Sequence, residues 1–425
     1  MKKKIAFSTL GCKLNQYESD SLMSDFIKND YEIVSFNDVA DAYVINTCTV
    51  TNKSDAKSRN LINRVNRLNP SAFLFVTGCY AETDRSTLEN IKGVNYVIGN
   101  DSKFDLFNIV NCSLSNEPVK INQIKGNRFL YNPAENTLHT RSYLKIQDGC
   151  NELCTYCKIP MARGNAESRA KDDILFTIKN LIQFAYKEII FTGINIGDYF
   201  HNNTNLSSLL KEVLSIEGDF RIHISSIEPE KIKNDFLELF NHPKMCKHIH
   251  IPLQSGNDRI LKLMGRNYSS DIYRNIIYKI REIDEDINIT TDVMVGFPTE
   301  TDNDFMDTLN LLSELDISYV HTFKYSIRNG TPASTIKDQI PEQIKSDRSI
   351  KIRRESDKLN LKYRNKFFNK TTKILTEKEI GEGIYTGYST NYIKTQFFDP
   401  NPSIGKFRQV KINKITPFST FAEII

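Results

Sequence analysis

The sequence is poor in several features that mark whole classes of protein. It has no apolar run long enough to span a bilayer, which argues against an integral membrane protein. Its eight cysteines among 425 residues show no disulfide-scaffold spacing. The N-terminal MKKKIAFSTLGC is basic and then apolar, but it lacks the apolar core and cleavage site of a secretory signal. We therefore expect a cytoplasmic protein without a membrane partner, whose thiols are reduced and available to a metal.

The net charge is small but unevenly distributed. Residues 342–425 contain seventeen Lys and Arg against nine Asp and Glu, a net +8 in a chain of +4, so residues 1–341 carry −4. A basic end on a mildly acidic body is typical of a module that binds a polyanion such as nucleic acid. An ordinary solvated helix face would explain the same charges without a ligand.

Strand and helix patterns alternate in the first quarter of the chain. Predicted strands cover residues 5–9, 31–36, 42–46, 73–77 and 96–98, and predicted helices cover 18–28, 54–68 and 85–91. This alternation predicts an α/β fold in which a parallel sheet carries helices on both faces.

The alternation resumes after a polar stretch that is broken by two prolines. Six further strands are predicted at residues 143–147, 188–192, 221–225, 248–252, 288–295 and 319–325, with helices that include 171–185, 271–284 and 302–315. Six successive βα units predict a partial (β/α)6 TIM-type barrel, and the active site of such a barrel lies at the carboxyl ends of its strands.

The C-terminal end has a different pattern. A basic helix over residues 344–368 leads to short strands at 371–376, 383–389, 393–398 and 407–412, which predict a small all-β barrel. Aromatic residues alternate there with basic ones, as on surfaces that stack bases, although packing in the barrel core is the alternative for most of them. These aromatic residues are Tyr385, Tyr388, Tyr392, Phe397, Phe398 and Phe407.

These patterns divide the chain into three predicted domains and a connector. The domains cover residues 1–115, 139–366 and 367–425, and the second includes the basic helix. The connector covers residues 116–138, which are polar and contain Pro118 and Pro133.

Three cysteines form the most specific motif. Cys150, Cys154 and Cys157 spell C-x3-C-x2-C directly after the first strand of the predicted barrel. Three thiolates can hold three irons of a [4Fe–4S] cube and leave the fourth without a protein ligand, whereas a cluster that only carries electrons normally has four cysteines. Coincidental buried thiols or a zinc site are the alternatives, but zinc sites usually use two cysteine pairs or histidines, and no histidine lies between Arg141 and Phe200.

Three other cysteines each follow a predicted strand of the N-terminal sheet. They are Cys12 after IAFSTLG, Cys48 after AYVINT and Cys79 after FLFVTG. The carboxyl ends of parallel strands share one edge of a sheet, so these cysteines predict a second three-cysteine cluster site. Small buried residues packed under helices are the alternative. Cys112, in a polar stretch expected to form a loop, and Cys246, just before a strand, are interpreted as incidental.

The cysteine segments resemble those of a known family. TLGCKLNQYES, NTCTVTNKSDAKSR, VTGCYAE and LKIQDGCNELCTYCKIPMARG are similar to segments of the radical-SAM methylthiotransferases, and the resemblance covers essentially the whole chain. It implies a cluster domain, a radical-SAM barrel and a C-terminal TRAM domain. Lys13, Leu14 and Asn15 after Cys12 most resemble the branch that modifies N6-threonylcarbamoyladenosine in tRNA. The isopentenyladenosine branch has G-C-Q-M-N at this point, and the branch that acts on a ribosomal protein has N-C-P-K.

The resemblance also implies the chemistry. One S-adenosylmethionine would be cleaved at a [4Fe–4S] cluster on Cys150, Cys154 and Cys157, and the resulting 5′-deoxyadenosyl radical would abstract hydrogen. A second S-adenosylmethionine would supply the methyl group, and a second [4Fe–4S] cluster on Cys12, Cys48 and Cys79 would hold the transferred sulfur. The product would carry a methylthio group at C2 of the modified adenosine beside the anticodon, at position 37. A radical route is physically reasonable because acid–base chemistry cannot readily deprotonate C2 of adenine.

Further residues match the family less sharply. The resemblance implies S-adenosylmethionine contacts at Tyr156, Gly193, Asn195, Glu228, Gln254 and Gly296. One departure is mild: Asn165, Ala166 and Glu167 stand where the family usually has more basic or small residues.

The expected partners are a tRNA anticodon stem-loop, held by the basic helix and the TRAM domain, and a reducing flavodoxin or ferredoxin. Three alternative functions remain open. Two keep the chemistry and change the target, to isopentenyladenosine in tRNA or to a ribosomal-protein aspartate. The third is a non-catalytic iron–sulfur protein that binds RNA or acts as a sensor.

Overall fold

A computed structural model describes residues 2–120, 128–131 and 140–425. Most of the predicted connector, including Pro133, lies outside the described residues, and the predicted domain boundaries stay a prediction.

The N-terminal residues form the predicted parallel sheet. Its strands are β1 Lys4–Thr9, β2 Glu32–Val34, β3 Ala42–Thr47, β4 Phe73–Gly78 and β5 Tyr96–Ile98, in the order β2-β1-β3-β4-β5. The helices are α1 Lys13–Lys28, α2 Asn52–Leu68, α3 Cys79–Thr83, α4 Arg85–Glu89 and α5 Leu106–Leu114. Alternate residues of β3 belong to different buried clusters, Val44 to one and Tyr43 to the other, so both faces of the sheet are covered. The predicted fold is confirmed.

The prediction that Cys112 lies in a loop is wrong. Cys112 lies in helix α5, where Leu106, Ile109 and Val110 are buried against the sheet. Their spacing of three and four residues makes one apolar helical face, which outweighs the polar residues between them.

The middle of the chain forms the predicted partial barrel, again in agreement with the sequence. Its strands and the short strands between them are β6 Arg141–Lys145, β7 Gln147–Asp148, β8 Glu167–Ser168, β9 Glu188–Thr192, β10 Phe200–His201, β11 Thr204–Asn205, β12 Arg221–Ile224, β13 His248–His250, β14 Asn288–Val295 and β15 Tyr319–Lys324. The helices are α6 Ile159–Arg163, α7 Lys171–Gln183, α8 Leu206–Ser215, α9 Asn234–Leu237, α10 Asp258–Leu263, α11 Ser270–Ile283, α12 Asp302–Glu314 and α13 Glu342–Asn365.

The barrel consists of two parallel three-stranded sheets, β6-β9-β12 and β13-β14-β15. Parallel bridges such as Ile222 with Met245 join β12 to the chain leading into β13. The wall stays open between β6 and β15 among the described residues, and α1 of the N-terminal domain packs against β6.

The inner face of this barrel is polar. Thr291 of β14 points outward, since it accepts a hydrogen bond from the Tyr273 hydroxyl of helix α11. The alternate residues Thr290 and Asp292 therefore face inward, and strand register places further polar residues beside them. We call this interior space the lumen; its lining includes Arg141, Tyr143, Glu188, Arg221, His223, His248, His250, Thr290, Asp292, Tyr319 and His321.

The C-terminal residues form a closed five-stranded barrel, as the sequence predicted in outline. The strands are β16 Thr371–Gly381, β17 Ile384–Ser389, β18 Lys394–Phe398, β19 Phe407–Ile415 and β20 Thr420–Ile424, in the order β16-β17-β18-β20-β19. Tyr385 and Phe397 pack in its core, so for them the core interpretation is confirmed over base stacking. Phe398 is 62% exposed.

The turn between β17 and β18 closes the amino-terminal end of the lumen. The backbone carbonyl of Thr390 accepts from the Lys247 amide at 2.9 Å, and that of Asn391 accepts from the Asn288 side chain at 2.8 Å. Tyr392 stacks on His223 with ring centroids 4.0 Å apart. The opposite end of the lumen, at the carboxyl ends of the strands, is where the cysteine motif lies. No helix in the described parts of the chain is long and apolar enough to cross a membrane.

Candidate active site

The N-terminal cysteines come from three neighbouring strands. Cys12 lies between β1 and α1, Cys48 directly follows β3, and Cys79 directly follows β4. Since β1, β3 and β4 are adjacent and parallel, their carboxyl ends meet at one edge of the sheet. Burial raises the pKa of the Cys48 thiol to about 11, and the nearby thiols of Cys79 and Cys12 add to this effect.

A glycine allows two of these cysteines to approach each other. Gly11 has a φ of +101°, a conformation that favours glycine, and a β-carbon there would lie 2.9 Å from the Cys48 sulfur. The Asn15 side chain then ties the two loops together, because it donates to the carbonyls of Leu10 and Thr47 at 2.9 Å each. The packing around the set therefore leaves no room for a larger residue before Cys12.

The second set lies in a single loop between β7 and α6. The backbone amides of Glu152 and Ile159 donate to the sulfurs of Cys150 and Cys157, each at 3.4 Å. These bonds favour the thiolates, but burial still raises the pKa of Cys150 to about 11 and that of Cys157 to about 12. Without a metal the thiols are protonated at neutral pH, so metal binding must displace their protons.

The thiol donors of each set can be compared with what zinc and iron–sulfur sites require. Within the part of the chain that the structure describes, no three Cys, His, Asp or Glu side chains are close enough to ligate one ion together. A structural zinc ion needs four ligands on one atom, whereas each thiolate of a [4Fe–4S] site binds a different iron. Three soft thiolate donors with a glycine-lined approach therefore fit an iron–sulfur cluster better than a zinc ion.

A buried charge network joins the two cysteine regions. Glu18 of helix α1 accepts from Lys103 at 2.7 Å, from Lys145 at 2.9 Å and from Arg163 at 3.0 Å. Asp148, just before the cysteine loop, bonds to Lys145 at 2.5 Å and to Arg163 at 3.0 Å. Burial opposes the ionised Glu18, yet Arg163, Lys103 and Lys145 together hold the pKa of this carboxyl well below its usual range.

Arg163 links this network to the N-terminal cysteine loops. Its guanidinium donates to the Asn15 side chain at 2.6 Å, and Asn15 holds the loops before Cys12 and Cys48. Because Arg163 ends the helix that follows the C-x3-C-x2-C loop, one side chain fixes the relative position of both sets.

A cavity of about 170 Å³ lies beside Cys157 of the loop set and next to the segment that follows Cys48. One wall is the segment 49–51, which directly follows Cys48, and another is Tyr156 to Ile159, which includes Cys157. Gln254, at the end of the fourth main barrel strand, also lines it. Arg328 crosses between the domains beside this cavity, with its guanidinium 2.7 Å from Asp55.

Two predicted cofactor residues line this cavity, and a third is tied to it. Tyr156 packs edge-on against Phe297, and its hydroxyl accepts from Arg266 at 2.6 Å. Arg266 also forms an ion pair with Glu228 at 2.9 Å. Glu228 is therefore held beside Tyr156 by Arg266, and Gln254 reaches the cavity from the opposite strand with a φ of +60°.

The other predicted cofactor residues lie elsewhere on the rim. The backbone amide of Asn195 donates to the Gln147 side chain at 2.8 Å, and a β-carbon on Gly193 would lie 2.8 Å from the Gln147 carbonyl. Gly296 lies under helix α13, where a β-carbon would be 2.3 Å from the Lys345 side chain. Gly193, Asn195 and Gly296 are not among the residues that line the cavity.

The sequence prediction missed the arginines that organise the site. Arg163, Arg266 and Arg328 are nearly fully buried or paired across long sequence distances. A single sequence gives no sign of such pairings; the only local signal was that Arg163 lies within the segment that resembles the family.

Comparison with known proteins is consistent with this arrangement. Residues 4–99 match the Uncharacterized protein family UPF0004, and residues 144–312 match the Radical SAM superfamily. A relative from Bacillus subtilis, the threonylcarbamoyladenosine tRNA methylthiotransferase MtaB, is 38% identical over 96% of this chain and 94% of its own length. The chain belongs to the radical-SAM methylthiotransferase family. Methylthiotransferases of this kind use two [4Fe–4S] clusters and S-adenosylmethionine, which agrees with the two cysteine sets.

More distant relatives support the family and the fold. A tRNA-2-methylthio-N(6)-dimethylallyladenosine synthase from Thermodesulfovibrio yellowstonii is 32% identical over 100% of this methylthiotransferase and 99% of its own length. The solved structure of the radical S-adenosylmethionine methyltransferase TsrM from Kitasatospora setae, with cobalamin and a [4Fe-4S] cluster bound, has a TM-score of 0.56 and 13% identity. It covers 79% of this chain and 77% of its own, and at that identity it supports the fold alone.

Proposed function

We propose that this methylthiotransferase modifies N6-threonylcarbamoyladenosine at position 37 of tRNA, at C2 of the base, in the cytoplasm. The cavity beside Cys157 supports the proposal, since its other wall is the segment that directly follows Cys48. A cavity of about 150 Å³ holds one ring-sized molecule, so a space of about 170 Å³ beside the proposed cofactor residues is large enough for one aromatic base ring.

The branch within the family rests on two observations. Lys13, Leu14 and Asn15 follow Cys12 as in the threonylcarbamoyladenosine branch. The Bacillus subtilis relative that carries this substrate in its name is 38% identical to the chain, against 32% for the Thermodesulfovibrio yellowstonii relative named for dimethylallyladenosine.

The residues around the cavity would have three roles: they would hold the clusters, contact the cofactor and fix the distance between the two cysteine sets. The two clusters and S-adenosylmethionine, when bound, supply the radical, the sulfur and the methyl group. Cys150, Cys154 and Cys157 would hold one cluster, and Cys12, Cys48 and Cys79 the other. Tyr156 and Gln254 would orient the cofactor beside the cavity, with Glu228, Gly193, Asn195 and Gly296 as further proposed contacts. The network around Glu18 and Arg163 would hold the two sets at a fixed separation while the base lies between them.

The C-terminal barrel and helix α13 would hold the anticodon stem-loop. Several basic residues of α13 are already paired within the protein, among them Arg348 with Glu300 at 2.6 Å and Lys362 with Asp316 at 2.5 Å. The barrel has freer candidates: Phe398 is 62% and Phe418 is 96% exposed, and Lys394 and Lys406 are also exposed. An exposed aromatic and lysine surface supports binding of a phosphate backbone, and such binding weakens as salt rises.

A reduced flavodoxin or ferredoxin would supply electrons to the cysteine loop. Leu153 lies inside the C-x3-C-x2-C segment and is 84% exposed. A loop that keeps an apolar residue in solvent beside its cysteines is accessible to a docking electron donor.

Mass spectrometry of tRNA nucleosides tests the substrate. The gene would be deleted in the host, and the deletion strain would be complemented with the wild type, with Cys12→Ala or with Cys112→Ala as a matched control. We expect the methylthio form of threonylcarbamoyladenosine to disappear on deletion and to return with the wild type and the control only.

Two results would contradict the proposal. Loss of methylthio-isopentenyladenosine with the threonylcarbamoyl product intact would assign the other tRNA branch. If neither nucleoside changes, the target is not tRNA, and loss of a methylthiolated aspartate from a ribosomal protein would then identify it.

A further inference from the structure

A second, larger cavity adjoins the active-site cavity. It has a volume of about 650 Å³, and it is lined by the start of α2, the carboxyl end of β15 and one face of α13. The two spaces are lined in common by Thr51 and by residues 323–326, so the larger one opens directly beside the smaller one. We call the larger space the basic groove, because four of its lining residues are Lys or Arg and one is Glu.

One wall of the basic groove joins the N-terminal domain to the barrel. The backbone amide of Asn52, the first residue of α2, donates to the Ser326 hydroxyl at 3.2 Å, and its side chain donates to the Ile327 carbonyl at 3.1 Å. The buried Arg328 follows and pairs with Asp55 of α2 at 2.7 Å. These contacts hold α2 against the end of β15, so the groove has a fixed wall.

Two cations of the basic groove have no partner in the protein. Lys53 of α2 and Arg353 of α13 are exposed, and neither has an ion pair or a hydrogen bond among the described residues. The other two are engaged, since Lys324 pairs with Glu342 and Lys345 donates to a backbone carbonyl at 3.1 Å. The groove therefore offers free positive charges on two different elements, which favours a ligand that carries several negative charges along its length.

An exposed aromatic residue lies where the two cavities meet. Phe323 of β15 lines both of them and is 42% exposed. Within the ranges that the structure describes, no other aromatic ring stacks on it. This combination is typical of surfaces that bind single-stranded nucleic acid, where cations pair with phosphates and an aromatic side chain stacks on a base.

An RNA strand fits this position better than a protein partner does. When the target base lies in the active-site cavity, the nucleotides joined to it have to lie in the space next to that cavity. An acidic protein would use the same charges, but nothing requires it to reach the entrance of the active-site cavity, where Phe323 lies.

We propose that the basic groove binds the RNA strand next to the modified nucleotide, with Lys53 and Arg353 on its phosphates and Phe323 stacked on the neighbouring base. This inference rests on the proposed function. It adds RNA contacts on the N-terminal domain and on the barrel rim, beside the reacting base, to those proposed for the C-terminal barrel.

The salt dependence of RNA binding tests the phosphate contacts. Binding of an anticodon stem-loop RNA that carries threonylcarbamoyladenosine would be measured by fluorescence anisotropy at several salt concentrations, with the reconstituted wild type and the double variant Lys53→Ala/Arg353→Ala. The plot of log affinity against log salt should become shallower by about 1.4 in the variant, since each phosphate contact to a single strand contributes about 0.7. Lys179→Ala/Lys211→Ala removes the same charge from α7 and α8, outside the groove, and should keep the wild-type slope.

An RNA without one base tests the stacking contact. Phe323→Ala should bind the intact RNA about 5- to 100-fold more weakly than the wild type, the loss expected when one stacked base is released. Two further RNAs each lack the base on one side of the target nucleotide. With one of them, the wild type and Phe323→Ala should bind equally, because the stacking partner is already gone. Phe176→Ala, at a 63% exposed position on α7, is the control and should bind all three RNAs as the wild type does.

The outcomes separate this inference from the proposed function. If the wild type modifies the RNA but the groove variants keep its salt slope and its loss on base removal, the inference is overturned and the function stands. The inference is also overturned if the groove variants bind RNA normally but are reduced more slowly by reduced flavodoxin, because the groove would then dock an acidic electron donor. If the wild type does not modify the RNA, the proposed function fails and this inference fails with it. Iron content of each variant shows whether a loss of binding comes from a damaged cluster site.

Discussion

Cys150, Cys154 and Cys157 lie within eight residues of one loop, whereas Cys12, Cys48 and Cys79 are spread over 68 residues and three strands. The first set needs only a short segment with the right turns. The second needs the pairing of β1, β3 and β4, because no local segment contains two of its cysteines. Substitutions in the loop set and in the strand-end set should therefore have different effects on iron content and activity. The buried charge network around Glu18 and Arg163, which we call the junction, should affect both sets.

Removal of a loop cysteine should have the largest effect. Cys150→Ala should abolish formation of 5′-deoxyadenosine from S-adenosylmethionine under reducing, anaerobic conditions, and it should lower iron from about eight to about four per chain. Cys112→Ala, in helix α5, is the control and should keep both the activity and the iron. A variant Cys150→Ala that still cleaves S-adenosylmethionine would show that the loop is not the radical site.

Removal of a strand-end cysteine should separate the two sets. Cys12→Ala should also lose about half of the iron, but it should keep 5′-deoxyadenosine formation while losing the methylthio product. The physical reason is that the loop set has its own turns and amide–sulfur bonds, which do not involve Cys12. Full iron in this variant would argue that the N-terminal thiols are packing residues.

The contrast also explains what the sequence could predict. The loop set could be predicted because its cysteines form one short motif. The strand-end set could be predicted because each of its cysteines follows an apolar strand. The polar lining of the lumen was present in segments such as RIHI and HIH, but the sequence does not say which side of a strand faces inward. The register with β14 and the outward Thr291 decide that.

What depended on distant partners could not be predicted. The Arg266 contacts to Tyr156 and Glu228 join residues 38 to 110 positions apart, and the Glu18 network joins residues up to 145 apart. Strand β20 was missed for the same reason, because its place in the barrel depends on pairing with β18 and β19 rather than on its own short pattern.

The junction between the two sets should control stability. Glu18→Ala leaves Lys103, Lys145 and Arg163 buried with Asp148 as the remaining anion of the network. Loss of one member of a buried ion network costs about 3–5 kcal/mol, and the free energy of unfolding in urea should fall by that amount. Asp219→Ala removes an exposed carboxylate that pairs with Lys187 and Lys373 at the surface, and it should cost about 1 kcal/mol or less. Equal losses in the two variants would mean that the junction is no stronger than a surface pair.

The same carboxylate gives the junction a pH dependence. Burial opposes its ionisation, but Arg163, Lys103 and Lys145 hold the folded-state pKa of Glu18 well below its ordinary value of 4.5. A lowered pKa stabilises the fold above the unfolded value, and this stability is lost as pH falls below about 4.5 through the folded pKa. The difference in unfolding free energy between wild type and Glu18→Gln should therefore be constant from pH 7 to about 5 and narrow below 4.5. If the difference in unfolding free energy between the two proteins grew as the pH fell, the pKa of Glu18 would be raised in the folded state rather than lowered.

The smallest expected effect comes from glycine substitutions. We compare one glycine from each set that directly precedes a cysteine. Gly11 has a φ of +101° and Gly149 a φ of +70°, so alanine at either position is strained by about 1–2 kcal/mol. A β-carbon on Gly11 would meet the Cys48 side chain at 2.7 Å, whereas one on Gly149 would meet the backbone oxygen of Asn165 at 1.9 Å. A side chain moves more readily than the backbone of the short segment between α6 and β8, so Gly149→Ala should lose more iron from its own set than Gly11→Ala loses from the other. To measure the two sets separately, iron would be determined for Gly11→Ala in a protein that lacks the loop cysteines, and for Gly149→Ala in a protein that lacks Cys12, Cys48 and Cys79. A larger loss in Gly11→Ala would show that the assembled site tolerates less displacement than the loop, because the crowding around Cys48 is transmitted through Asn15 to both strand ends.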